Sequence, residues 1–240
     1  MPRLLAPIAV LAVLALAAPT ALGQTGGGTP PAATQPAPAP PVFSPVRFRS
    51  SRAVGLPFRG RLVRGVKLPP EGEHFFSWDP IYFQGPNRSS RRWATARLIR
   101  MILAVAAEHR TAFPDAPRVA VGDLSRRRGG PFGARFGGLG HRSHQNGLDA
   151  DIYYPRIDRF EDQVYGVSEM DRRLSQDLVN RFVCAGASNI WVGLRTRLKG
   201  PRKRVSKLAY HDDHLHVRIP RRPRKRCSVP TAPAPAPPSP

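Results

Sequence analysis

At 240 residues, with 38 Lys+Arg against 16 Asp+Glu and a formal net charge of +22, the chain has room for one ordinary domain and its tails. Hydrophobic residues make up 41% of it, enough to bury a core, which excludes a wholly disordered chain. Two cysteines exclude a disulfide scaffold and a four-cysteine zinc site, and the lack of a second long apolar run excludes a multispan membrane protein.

Met1-Pro2-Arg3, an apolar stretch over residues 4–18 and small residues at Ala21 and Gly23 read as a secretory signal peptide over residues 1–23. Export to the periplasm or another extracytoplasmic compartment follows, and a membrane enters only if this segment is retained. Its apolar part falls short of the roughly 20 residues a span needs. Residues 24–45 form a Pro/Ala/Thr/Gly-rich linker, and residues 229–240 a Pro/Ala-rich tail. Proline fixes φ and removes a donor, so both are expected to be stiff, solvated and extended. Residues 46–228 remain for the folded domain.

Residues 92–110 carry Leu98, Ile99, Ile102, Leu103, Val105 and Ala106 at three-to-four spacing and predict an amphipathic helix begun by Ser89 or Ser90. The β-branched stretch at residues 118–122 ends on glycine and predicts a buried strand. Residues 125–140, rich in Arg and Gly, predict a surface loop. Residues 148–153 alternate, with Leu148, Ala150 and Ile152 on one face and Asp149 and Asp151 on the other. Ser168-Glu169-Met170-Asp171 predicts the start of a second helix, with Leu174, Leu178, Val179 and Phe182 as its apolar stripe. Two more strands are predicted, at Ile190-Trp191-Val192 and where Leu215, Val217 and Ile219 alternate with His214, His216 and Arg218. The order gives an α+β domain with a small central antiparallel sheet flanked by helices. In an oxidising compartment Cys184, in the second helix, can pair with Cys227; a buried thiol at Cys184 and a free one at Cys227 is the alternative.

Five of the seven histidines fall in two clusters, His141 with His144 and His211 with His214 and His216. The His144-x6-Asp151 spacing lets Gly147 turn the chain so that imidazole and carboxylate converge, and His214-Leu215-His216 puts two imidazoles on one strand face. Two imidazoles and a carboxylate with one position open suit a catalytic zinc, which lowers the pKa of its water toward ~7 and makes it a nucleophile.

Three stretches resemble the penicillin-insensitive murein endopeptidases: Val121-Gly122-Asp123-Leu124-Ser125, the run from Gly140-His141-Arg142-Ser143-His144 to Asp149-Ala150-Asp151-Ile152, and His211-Asp212-Asp213-His214-Leu215-His216-Val217-Arg218. Leu68-Pro69-Pro70-Glu71-Gly72 and the helix near Trp93 also look like that family. The resemblance implies the zinc fold shared by lysostaphin-like enzymes, D-Ala-D-Ala metallopeptidases and hedgehog domains. It implies that His144, Asp151 and His216 bind zinc, that His214 activates or orients water, and that His211 and His141 lie at the cleft. Asp149 shares the face of Asp151 and is expected to orient a ligand imidazole. The implied reaction is hydrolysis of peptidoglycan cross-links, of the D-alanyl to diaminopimelyl type. Residues 126–139 look longer and more glycine-rich than the family pattern.

The arginine-rich runs suit nucleic-acid phosphates as well as an anionic cell wall. With 8% aromatic residues and no apparent stacking platform, no specific nucleic-acid partner is expected. Two alternatives to the peptidase stay open at this level: a catalytically inactive zinc-bearing wall-binding module and an envelope metal-dependent nuclease.

Overall fold

The computed structural model describes residues 42–132, 141–227 and 229. The expected signal segment, most of the expected linker and tail, and residues 133–140 of the expected loop lie outside the described residues. Among the described residues no helix is long and apolar enough to cross a membrane.

The chain enters through a hairpin, β1 (Arg52–Leu56) with β2 (Arg59–Val63). Short strands follow: β3 (Val66–Lys67), β4 (Glu71–Gly72), β5 (Phe75–Ser77) and β6 (Trp93–Ala94). None of these was predicted, because two- and three-residue strands carry no readable period. β6 pairs with β3 and holds residues 93–94 extended, so the first helix cannot begin at Ser89 or Ser90. Instead α1 (Ala96–Ala112) starts after Thr95, whose hydroxyl accepts from the Leu98 N–H as an N-cap. Ser89–Arg91 form a separate 3-10 turn.

The predicted strands at residues 118–122, 148–153 and 190–192 are present as β7 (Val119–Val121), β8 (Asp149–Tyr153) and β9 (Asn189–Val192). The second helix, α2 (Arg172–Cys184), begins after Asp171, not Ser168; the Asp171 carboxylate accepts from Leu174 N–H at 3.0 Å. After β10 (Val205–Lys207) comes β11 (His214–Arg218).

These elements build a seven-stranded sheet in the order β10-β9-β11-β8-β7-β5-β4. The sheet is mixed, not purely antiparallel. Its centre, β9-β11-β8-β7, is antiparallel, whereas β10 runs parallel to β9 and β5 parallel to β7. A parallel pair needs a crossover connection, long between β5 and β7 and short between β9 and β10, and local pattern does not report either.

One face of the sheet, with Val119, Val121, Ala150, Ile152, Ile190, Leu215 and Val217, belongs to the main apolar core. The same core takes Leu98, Ile99, Ile102 and Val105 of α1 and Leu178, Val179 and Phe182 of α2, all fully buried. At about 1.5–3 kcal/mol for each large aliphatic removed from water, this layer fixes the sheet against the helices. The opposite face carries the polar residues, beside a smaller buried cluster of Phe76, Trp78, Ala120 and Tyr153.

Cys184 at the end of α2 and Cys227 beyond β11 form a disulfide. The pairing alternative is therefore the one realised, reinforced by a backbone bond from Cys227 N–H to Cys184 C=O at 2.9 Å.

Candidate metal centre

β8 and β11 pair with His214 opposite Tyr153, His216 opposite Asp151 and Arg218 opposite Asp149. Alternation sends all six of these side chains to the polar face, while Ala150, Ile152, Leu215 and Val217 enter the core. Histidines and carboxylates are thereby brought together by register alone.

His144 arrives from the loop before β8. It is fully buried and has φ +64°, a left-handed conformation uncommon outside glycine, which aims its ring at the sheet. Three residues on, Gly147 at φ +74° makes the turn into β8; a Cβ there would lie 2.8 Å from Leu62 Cδ1. The β7 exit comes equally close. A Cβ on Gly122 would lie 2.8 Å from the Tyr153 ring and 3.3 Å from Asp151 Cβ, so glycine lets this backbone abut the site.

Three atoms converge. His216 Nδ1 lies 3.1 Å from Asp151 Oδ1, His144 Nε2 lies 3.4 Å from the same oxygen, and the two nitrogens are 3.4 Å apart. Ligands at about 2.0–2.1 Å from a tetrahedral zinc are separated by about 3.3 Å, so this triangle has the edge lengths of one face of such a site. The outer nitrogens are held by acceptors. His144 Nδ1–H donates to Leu124 C=O, and His216 Nε2–H donates to Asp149 Oδ1 at 2.8 Å, which leaves Nε2 of His144 and Nδ1 of His216 facing each other and Asp151. Asp151 Oδ1 is buried and has no hydrogen-bond partner.

Electrostatics agree with the geometry. Burial disfavours the Asp151 charge, but the surrounding imidazoles hold its carboxyl well below the usual range. Burial, with His141 and His216 adding to it, lowers the His144 pKa and keeps that ring neutral, as a ligand must be. Against the lowering effect of burial, Asp149 and Asp151 push His216 up to about 9. A positive charge beside Asp151, such as a proton on His216 or a divalent cation, is therefore favoured. The buried orphan oxygen, the two imidazole nitrogens and the tetrahedral edge lengths fit zinc.

His141, His144 and Asp151 also offer ligand atoms that all lie within 4.8 Å of one another. His141 Nε2, however, stands 3.4 Å from Asp151 Oδ2 and 2.7 Å from Asp123 Oδ2. Burial opposes ionisation of Asp123, yet Arg91 and His141 depress its pKa to about 2, so it is an acceptor and His141 Nε2 must donate to it. In this arrangement His216 offers the freer nitrogen. Asp123 is further clamped by two bonds from Arg91 and one from Asn87 Nδ2 at 3.0 Å. Neither Asp123 nor Arg91 was given a role from the sequence. A single charge carries no period in the sequence, and it is the burial of both side chains that discloses the pair.

The remaining predicted residues surround the triangle. His214 Nε2 is 3.8 Å from Asp151 Oδ1, and its Nδ1 lies 2.7 Å from Asp213 Oδ1. Burial lowers its pKa, and Asp151 and Asp213 outweigh that and raise it. The His211 ring is centred 4.7 Å from His214 and 6.1 Å from His216, and burial, with His214, lowers its pKa. Asp149 also accepts from Arg218 Nε at 2.6 Å. Trp191 of β9 meets His216 edge to face at 5.1 Å and walls that side.

A family model described as penicillin-insensitive murein endopeptidase matches residues 53–198. No curated protein matches the chain. The matched span contains His144 and Asp151 and ends before β11, which carries His214 and His216.

Proposed function

The chain belongs to the penicillin-insensitive murein endopeptidase family and is a peptidase acting on peptidoglycan; from that premise we propose an exported, zinc-dependent hydrolase of peptide cross-links, of the D-alanyl to diaminopimelyl type. We assign zinc to His144, Asp151 and His216. The observation that carries this is the triangle of 3.1, 3.4 and 3.4 Å around the unpartnered Asp151 oxygen. The antiparallel β8/β11 pair with both motifs on one face supports the hedgehog and D-Ala-D-Ala peptidase-like architecture.

When bound, the cation supplies Lewis acidity to a water and to the scissile carbonyl. The protein's own groups do the rest. Asp149 and the Leu124 carbonyl fix the tautomers and orientations of His216 and His144. Asp213 accepts from His214 Nδ1–H, which leaves His214 Nε2 free on the site side to take a proton from the attacking water. The water oxygen bonds to the carbonyl carbon, the C–N bond breaks, and the proton held at His214 Nε2 passes to the departing amine. His211, neutral beside His214, lines the cleft. His141 ties the centre to the Arg91–Asp123 pair.

Digestion of defined cross-linked muropeptides, resolved by mass, tests the reading together with the zinc content of the purified protein. Conversion of each cross-linked dimer into two monomers, one carrying the new carboxyl and the other the new amine, is the expected outcome, at one zinc per chain. A protein that binds peptidoglycan without cleaving it, or that makes new phosphate ends on DNA instead, would replace the peptidase reading with one of its two alternatives.

A further inference from the structure

Beside the amino end of α1 lies a cavity of about 570 Å3 that shares no residue with the histidine and carboxylate centre. Five arginines line it: Arg49, Arg52, Arg97, Arg100 and Arg221. Neither Asp nor Glu lines it. Elsewhere in the domain arginines meet carboxylates, as Arg88, Arg118, Arg156 and Arg195 do, but among the described residues none of these five has a carboxylate within ion-pair distance. Backbone oxygens and one ring hold four of the guanidinium groups in place. Arg97 donates to Pro220 C=O, Arg221 to Gly55 C=O and Arg49 to Gly65 C=O, and Arg100 stacks 4.3 Å from the Phe48 ring. Each leaves further N–H groups unspent. Burial lowers the Arg97 pKa with no acid to offset it.

A second cavity of about 430 Å3 shares Phe48 and Arg49 with the first and is bordered by Arg47, Lys67 and Arg92, again with no acid. Arg92 is only 6% exposed, and its Nε has no hydrogen-bond partner. A buried, unpaired guanidinium nitrogen is costly unless something anionic answers it. The 17-residue α1 adds the positive end of its dipole, since Thr95 and Ala96 line the first cavity.

We propose that this two-lobed arginine groove binds phosphate esters. Planar guanidinium forks match tetrahedral oxyanions bidentately, and a cluster of five needs more charge than one carboxylate carries. The volume exceeds that of a bare phosphate and leaves space for the carbon skeleton bearing it. Two adjoining lobes suit successive phosphates of one linear anion. The groove gives this peptidase a hold on an anionic phosphate-bearing surface that is separate from its chemistry.

The test uses the full chain and sn-glycerol 3-phosphate as probe, with vesicles containing phosphatidylglycerol as a second arm. Arg52 and Arg100 are exposed and make no hydrogen bond that the fold depends on, so R52Q/R100Q leaves the structure intact. R202Q/K203Q, in the exposed turn before β10, removes the same charge elsewhere. Saturable binding of glycerol 3-phosphate is expected, weakened at least tenfold in R52Q/R100Q and less than twofold in R202Q/K203Q, with muropeptide cleavage unchanged in both. Vesicle binding that shows the same dependence on Arg52 and Arg100 identifies a lipid headgroup as the source; dependence in the soluble arm alone identifies a phosphate of the wall. Equal weakening by the two double variants, or binding that R52Q/R100Q leaves untouched, would overturn the proposal, because the anion would then follow net charge or sit at the metal centre.

Discussion

Asp149 offers the sharpest test of how the centre is organised. Its Oδ1 accepts from His216 Nε2 at 2.8 Å and from Arg218 Nε at 2.6 Å, while Oδ2 is buried and has no partner. Burial works against the Asp149 charge, but His216 and Arg218 lower its pKa, so it is ionised throughout the neutral range. In Asp149→Asn the amide oxygen can keep both hydrogen bonds and only the charge is lost. Hydrogen bonds to charged groups are about twice as strong as neutral ones, so roughly 1.4 kcal/mol of the hold on His216 disappears, a tenfold loss of zinc affinity. Asp149→Ala removes the acceptor itself and should reach about a hundredfold, the upper end for groups that orient a metal ligand. Competition with a chromophoric chelator at pH 7 reads both constants, and thermal unfolding of each apo protein separates folding from binding. Asp149 would be a ligand if both variants lost zinc as fully as His216→Ala. If both bound zinc within twofold of the parent, the carboxylate orients nothing and the reasoning fails.

Four further outcomes are expected. His144→Ala and His216→Ala each abolish both zinc stoichiometry and cleavage, by metal analysis and muropeptide digestion; retained zinc in His216→Ala sinks the ligand set. His214→Ala keeps most of its zinc and loses turnover by roughly 10²-fold or more, the scale of a missing acid–base group; metal loss as complete as in His216→Ala would make it a ligand. Cleavage stops with phenanthroline, returns when zinc is restored and ignores penicillin, since no Ser-x-x-Lys motif is present to form an acyl-enzyme, whereas labelling by a fluorescent penicillin contradicts this. Asp123 has a folded pKa of about 2 against an ordinary value of 3.8, so it binds its proton less readily in the native state. Its contribution, about 2 kcal/mol, is full above pH 4 and is lost as pH falls through 2. Urea titrations of the parent and Asp123→Asn at pH 5, 3 and 2 should converge toward the acid end, and a constant gap would refute the assignment.

The alternation at residues 148–153 and 214–219 was legible because a strand with one apolar face has a period of two, and that pattern put Asp149 with Asp151 and His214 with His216 in advance. What sequence could not give was the register that sets His216 opposite Asp151, because it is decided between strands more than sixty residues apart. Both helices start later than their serines suggest, for a related reason. Ser89, Ser90 and Ser168 are good caps in isolation, but the β3/β6 pairing and the contacts of Pro155 C=O with Asp171 N–H hold the chain out of helical geometry until Thr95 and Asp171. The Arg91–Asp123 pair went unassigned because a single charge gives no period; only burial discloses it.

The disulfide bears on the site in a way that sheet pairing does not. Cys184 and Cys227 are 43 residues apart, and the ring they close contains β9, β10 and β11 together with both histidines of the His-x-His strand. Closing a loop of that length costs the unfolded chain about 4 kcal/mol of conformational freedom. The other half of the centre, His144 and Asp151, lies outside the ring. If β11 peels from β8, the ring limits how far its histidines can travel, and re-zipping starts from a short search confined near the end of α2. Covalent closure therefore keeps the His-x-His strand tethered to the helical layer through a local opening.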